Sequence, residues 1–154
     1  MPKHFFYKFN EGPLSSVKEL LGDWEIGNCR RAVQYYIYKK RKIFLKQEQV
    51  LCPNAYYNTG SFIMDQGQDF LPASLFDSDI IYAEKIRNKE GKIIKKNLET
   101  FSINDDYVIS LHTALFTGEE GKEIWHATSI HGSSCYWSLE KFLYFYKPIA
   151  VKRV

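Results

Sequence analysis

The stretch NCRRAVQYYIYKKR, residues 28–41, decides how the fold of this chain is interpreted. Apolar side chains recur with the three-and-four spacing typical of an amphipathic helix, at Ala32, Val33, Tyr36 and Ile37. Asn28 is a favourable N-cap residue. We therefore predict a helix over residues 29–41, with Cys29 as its first residue.

The rest of the chain predicts further helices and a sheet. Short helices are expected at residues 16–21 and at residues 139–146, where Ser138 provides an N-cap. Alternating apolar residues between turn signals predict strands at 78–86, 92–100, 107–116 and 123–128, with a final edge strand at 149–154. Helices followed by hairpin-linked strands indicate the α+β class, with N-terminal helices packed on an antiparallel sheet. Without repeats or linkers, residues 1–154 are predicted to form a single domain.

The composition narrows the functional classes. Hydrophobic residues make up 45% of the chain and aromatic residues 16%, which argues for a packed core. The net charge of +3 is small for a dedicated nucleic-acid binder, so no nucleic-acid partner is predicted. No apolar run approaches the roughly 20 residues of a membrane-spanning helix. No signal peptide is recognised either, so a cytoplasmic location is expected unless a non-standard route exports the protein.

The three cysteines, Cys29, Cys52 and Cys135, are an odd number without metal-type spacing. One reactive thiol and two inert ones fit this pattern better than a disulfide framework does. A helix N-terminus offers free N–H groups and partial positive charge, and both favour the thiolate that acts as a nucleophile. Cys29 is therefore the candidate nucleophile. The alternative is a small core residue that happens to begin a helix.

Two histidines are the candidate partners of this thiol. With a turn centred near Glu119, the strands 107–116 and 123–128 would place His112 directly opposite His126. Strand parity puts both side chains on one face of the sheet, so one imidazole could orient the other. A pair that only packs within the sheet is the alternative, and a zinc site with Cys29 is another. His131 is a reserve candidate for the third position.

These residues resemble a known family, the NlpC-type cysteine peptidases, which are compact papain-like enzymes that cleave cell-wall peptides. Residues 28–35, NCRRAVQY, are similar to the family's Asp-Cys-Ser-Gly-Leu-Val-Gln helix. Residues 75–82, LFDSDIIY, are similar to its Pro-Gly-Asp-Leu-Val-Phe-Phe strand. Residues 112–118, HTALFTG, and 124–127, IWHA, resemble its His-Val-Gly-Ile-Tyr-Leu-Gly and Phe-Ile-His-Ala segments.

The resemblance implies a papain-like fold and a hydrolase acting on an amide or peptide bond. Cys29 would be the nucleophile, His112 the general base and then acid, and His126 the residue that orients His112. No cofactor and no metal are implied. A peptide or a peptidoglycan-like molecule would be the substrate, in contact with the candidate cleft residues Trp24, Tyr56 and Trp125.

Two alternatives stay open beside a hydrolase. An acyltransferase or thioesterase would use the same three residues, because water and another acceptor differ only in the pocket that admits them. A binding module could also keep the fold without catalysis. The family's Ser-Gly after the nucleophile is replaced here by Arg30 and Arg31, which changes the charge beside the thiol.

Overall fold

Helix α1 spans Asn28–Arg41 in the computed structural model, which describes residues 28–43, 45, 50, 61–64, 69–94, 111–128, 130 and 133–154. The helix predicted over residues 29–41 is thereby confirmed. Its apolar face is buried in the core, and its last turn is basic and exposed. Lys42 ends the helix with a positive φ of 55°, and its N–H donates to the carbonyl of Tyr38 at 2.8 Å.

The described strands form one antiparallel sheet of six strands in the order β1-β6-β2-β3-β4-β5. Their bounds are β1 Ser61–Met64, β2 Ile80–Lys85, β3 His112–Phe116, β4 Ile124–Thr128, β5 Ser133–Trp137 and β6 Tyr146–Arg153. A 3-10 turn occupies Pro72–Ser74, and a second α-helix, α2, spans Leu139–Phe145. The α+β class with an antiparallel sheet is therefore confirmed.

The two faces of the sheet carry two separate apolar clusters. One lies beneath α1 and includes Val33 and Ile37 of the helix with Leu115 and Trp125 of the sheet. The other lies on the opposite face around Phe142 of α2. Helix α1 packs on one face of β3 and β4, and His112 and His126 lie on the other face of these strands, near Phe142.

Several predicted elements differ from the observed ones. Strand β6 pairs with both β1 and β2, so the prediction that the C-terminal strand lies at an edge was wrong. Strands β1 and β5 were not predicted. In the described part of residues 92–100 only an isolated bridge forms, between Arg87 and Ile93. The predicted helix at residues 16–21 lies outside the described residues.

The loop before β2 is held by a buried carboxylate. Asp79 is 1% exposed and accepts hydrogen bonds from the N–H of Phe76 at 2.7 Å and from two guanidinium nitrogens of Arg153 at 2.8 Å each. Ser78, just before it, has a positive φ of 79°. Arg153 thereby connects β6 to the loop that precedes β2.

Among the described helices, none combines the length and the apolar character that crossing a membrane requires.

Candidate active site

The predicted histidine pair is formed in the structure. His112 is the first residue of β3 and His126 is the central residue of β4, and His112 Nε2 lies 2.9 Å from His126 Nδ1. The two rings meet edge to face, with centroids 5.1 Å apart and an interplanar angle of 70°. One of the two nitrogens must carry the hydrogen of this bond, so the pair shares a defined tautomer arrangement.

The register that joins these strands is not the predicted one. Leu115 pairs with Trp125 and Phe116 with Ile124. Continued toward the start of β3, this register places His112 diagonally, and not directly, across from His126. The N–H of Lys122 donates to the carbonyl of Glu119, so the turn is centred one residue later than predicted. A shift of the turn by one residue moves the pairing of the two strands by two residues. His112 and His126 therefore still lie on the same face of the sheet. Ring side chains at diagonal positions are close enough to be in contact.

Aromatic side chains enclose the pair. His126 is fully buried, and its ring lies 4.5 Å from that of Trp137 in an edge-to-face contact. The ring of Tyr146 stacks on His112 with centroids 4.3 Å apart and an interplanar angle of 19°. Phe142 packs near both imidazoles. The rings of the pair therefore have little freedom to rotate.

The surroundings keep His112 neutral. The residue retains some exposed surface, but its ring is enclosed by Tyr146, Phe142 and His126. Burial lowers the pKa of His112 to about 3, and the positive charges of Lys85 and Arg30 contribute to the decrease. At neutral pH the imidazole is thus unprotonated, and a pKa this low makes it a weak base.

Cys29 lies in the first turn of α1, is partly exposed and has a free thiol. Within the described residues, no hydrogen bond joins its sulfur to His112 or His126. Its sulfur nevertheless lies in electrostatic range of Tyr146, the ring that stacks on His112. Burial raises the pKa of Tyr146, a hydrogen bond from Thr128 opposes this, and the charges of Cys29 and Cys135 increase it further. Cys29 is therefore in electrostatic range of the histidine pair's immediate surroundings.

The two arginines that follow Cys29 are buried. Arg30 is 7% exposed and Arg31 is fully buried. Burial lowers the pKa of Arg30, while the negative charges of Cys29 and Tyr82 oppose the decrease. A cation thus lies in electrostatic range of both the candidate nucleophile and the candidate base.

The other predicted site residues lie elsewhere. Trp125 is 4% exposed beneath α1, where its Nε1–H donates to the carbonyl of Ala32 at 2.6 Å. Such a position packs the helix on the sheet and provides no surface for a substrate. Trp24, Tyr56, Cys52 and the reserve candidate His131 lie outside the described residues.

Sequence reasoning did not identify two residues beside the histidines. Nothing in the sequence connects Tyr146 with His112, because the two residues are far apart along the chain. Cys135 pairs with His126 in the register of β4 and β5, and burial raises the pKa of its thiol to about 11. Cys135 could not be predicted as a neighbour of His126, because β5 itself was not predicted.

Two further observations describe what surrounds the pair. Within the described ranges, no three or more His, Cys, Asp or Glu side chains are grouped so that they could hold a metal ion. A cavity of about 340 Å³ lies at the β1–β6 side of the sheet, and the residues that line it include Met64, Leu75 and Val151 but not Cys29 or the histidines.

Comparison with known proteins gives no match to a family model, to a curated protein or to a solved structure.

Proposed function

We propose that the protein is a papain-like cysteine hydrolase that cleaves an amide or peptide bond. The observation that carries this proposal is the 2.9 Å contact between His112 Nε2 and His126 Nδ1, with Cys29 in electrostatic range of the Tyr146 ring that stacks on His112. In this proposal Cys29 is the nucleophile, His112 is the base and His126 is the residue that orients the base. The NlpC-type segments quoted above support the same assignment of roles.

The bond also selects the nitrogen that would act as the base. Because Nε2 of His112 is held by His126, Nδ1 is the nitrogen available to the thiol. In the proposed tautomer, Nε2–H of His112 donates to Nδ1 of His126. Among the described residues no hydrogen bond joins Cys29 to His112, which is compatible with catalysis because such bonds often tighten only when substrate is bound.

The proposed reaction has two halves. The Cys29 thiol gives its proton to His112 Nδ1, and the sulfur attacks the carbonyl carbon of the substrate. The C–N bond breaks, the amine leaves with the proton from His112, and a thioester remains on Cys29. Water then gives a proton to His112 and attacks the thioester, which releases the acid and returns the proton to the sulfur.

The neutral state of His112 affects how the thiol is activated. With its pKa near 3, the imidazole does not hold a proton at neutral pH, so a resting thiolate–imidazolium pair is disfavoured. The proton would move during attack on the carbonyl, as in general-base catalysis. The nearby cation of Arg30 would then favour the developing negative charge on sulfur.

Acyl transfer from p-nitrophenyl acetate to the protein tests the proposal without knowledge of the natural substrate. We expect acetylation of Cys29, found by peptide mass mapping, together with release of p-nitrophenolate. Cys29→Ala should abolish it, and His112→Ala should slow it about a hundredfold, the usual contribution of a positioned base.

Cys135→Ala is the matched control, since it removes the other described thiol, which pairs with His126 across β4 and β5. It should leave the rate unchanged. Acetylation that persists in Cys29→Ala, or that is insensitive to His112→Ala, would favour a binding module over a hydrolase. Purified peptidoglycan fragments are the first natural substrates to examine, on the basis of the family resemblance.

A further inference from the structure

The ring of Tyr146 covers one face of the candidate base. It stacks on His112 with centroids 4.3 Å apart and planes 19° from parallel. We propose that Tyr146 is a positioning residue that holds the imidazole of His112 in the orientation needed for proton transfer. This inference rests on the proposed function and assigns to Tyr146 a part of that same site.

Tyr146 is itself held from several sides. Its backbone is the first residue of β6 and pairs with Lys85 of β2. Its hydroxyl is hydrogen-bonded to that of Thr128 at the end of β4. Its ring also stacks on Phe142 of α2, with centroids 5.1 Å apart and an interplanar angle of 17°. Three strands and a helix therefore determine the plane of the tyrosine ring.

The stack and the hydrogen bond restrain different motions of His112. The bond from Nε2 to His126 lies in the plane of the imidazole and determines which edge faces β4. It leaves the ring able to tilt about the bond. A ring stacked on its face opposes this tilt but does not distinguish the two edges. Together the two contacts determine where Nδ1 points, and catalytic groups need orientation within about 10–20°.

The topology provides the space for this contact. Ala83 of β2 pairs with His112 on one side and with Pro148 of β6 on the other. Because β2 separates β3 from β6, a large side chain at this register position would stand between the two rings. The methyl group of Ala83 lets a ring from β6 reach across the strand to the imidazole.

Alkylation of Cys29 by iodoacetamide at pH 7, followed by peptide mass mapping, measures the effect of His112 on the thiol. His112→Ala defines the rate without the base. We expect Tyr146→Leu, which removes the ring, to slow alkylation about tenfold, in keeping with the cost of small misplacements at a site. Tyr146→Phe and Thr128→Val keep the ring and lose only the hydroxyl bond, so each should slow it about two- to threefold.

The double variant His112→Ala/Tyr146→Leu separates positioning from general damage. If Tyr146 acts through His112, the double variant should react no more slowly than His112→Ala alone. Tyr144→Leu is the matched control, because Tyr144 lies in the last turn of α2, is 48% exposed and contacts the ring of Phe145 edge to face. It should react like the wild type. If Tyr146→Leu does not fold, the comparison of Thr128→Val with and without His112→Ala provides the same test.

The outcomes distinguish the two proposals. A slow His112→Ala protein with a wild-type rate in Tyr146→Leu, or additive losses in the double variant, would overturn the role of Tyr146 alone. An unchanged rate in His112→Ala would contradict the proposed function instead. Nitrogen-15 NMR of the His112 ring then decides the positioning role. We expect faster relaxation of the ring signals in Tyr146→Leu than in the wild type, because the ring can then tilt, and unaltered relaxation would refute the inference.

Discussion

His112 is enclosed on one face by Tyr146 and held at one edge by His126, and this environment changes how it takes up protons. Burial lowers its pKa to about 3 in the folded protein, against about 6.5 in an unfolded chain. The unfolded chain therefore binds an additional proton between these values. Folding stability from this group is complete above pH 6.5 and decreases as the pH falls toward 3.

The stability of the protein should accordingly fall on acidification by roughly 1 kcal/mol per pH unit between about pH 6 and pH 4 from His112 alone. Urea denaturation at several pH values measures this slope. His112→Gln keeps a neutral polar side chain at this position. The free energy of unfolding of this variant should depend less steeply on pH than that of the wild type. Equal slopes in the two proteins would show that His112 is protonated normally in the folded state.

The two described thiols should also differ in reactivity. Cys135 is held as the protonated thiol at neutral pH, because burial raises its pKa to about 11. Cys29 is partly exposed in the first turn of α1, where a reagent can reach its sulfur. We expect iodoacetamide at pH 7 to label Cys29 at least about tenfold faster than Cys135, as counted by mass spectrometry. Similar labelling of both thiols would argue against an activated Cys29.

At the scale of single elements, α1 ends in an unfavourable conformation. Lys42 is exposed and adopts a φ of 55°, in the left-handed region that costs a residue with a Cβ atom about 1 kcal/mol. Glycine is the usual residue at this position after a helix. The geometry of the turn, and not the residue type, therefore determines where α1 ends.

Lys42→Gly should stabilise the protein by about 0.5–1 kcal/mol, since relief of the left-handed strain exceeds the entropy that glycine adds to the unfolded chain. Thermal unfolding measures the change. Lys40→Gly is the control, because the same replacement within α1 should destabilise the protein by about 1 kcal/mol. A lower melting temperature for both variants would contradict the assigned helix end.

At the scale of the whole molecule, Arg153 connects the end of the chain to the entrance of β2. It forms two 2.8 Å hydrogen bonds with Asp79, and its guanidinium lies over the ring of Phe76 at 4.2 Å. The carboxylate of Asp79 is almost completely buried. Its charge therefore depends on Arg153 for compensation, and this contact links two distant parts of the sequence.

Arg153→Met should destabilise the protein by about 2 kcal/mol, because a buried carboxylate loses its cationic partner. The midpoint of urea unfolding measures the loss. Lys147→Met removes a cation from an exposed position of the same strand and should change the midpoint little. An unchanged midpoint in Arg153→Met would show that water compensates Asp79 adequately.

Local patterns in the sequence determined the two described helices. The spacing of apolar residues defined α1, and the predicted cap of α2 is present, since the Ser138 side chain accepts the N–H of Lys141 at 3.1 Å. Strand parity likewise placed His112 and His126 on one face, because the alternation of side chains depends only on position along each strand. These features arise from interactions between residues a few positions apart.

Only the tertiary structure decided the neighbours of those residues. The place of β6 between β1 and β2, the diagonal register of the histidines and the stacking of Tyr146 on His112 all depend on pairing between distant segments. Such pairing is selected by the burial of whole faces of the sheet, and one-residue changes in a turn shift it. No local pattern encodes this pairing. The residues of the candidate site could therefore be proposed from the sequence, whereas the contacts that hold His112 could not.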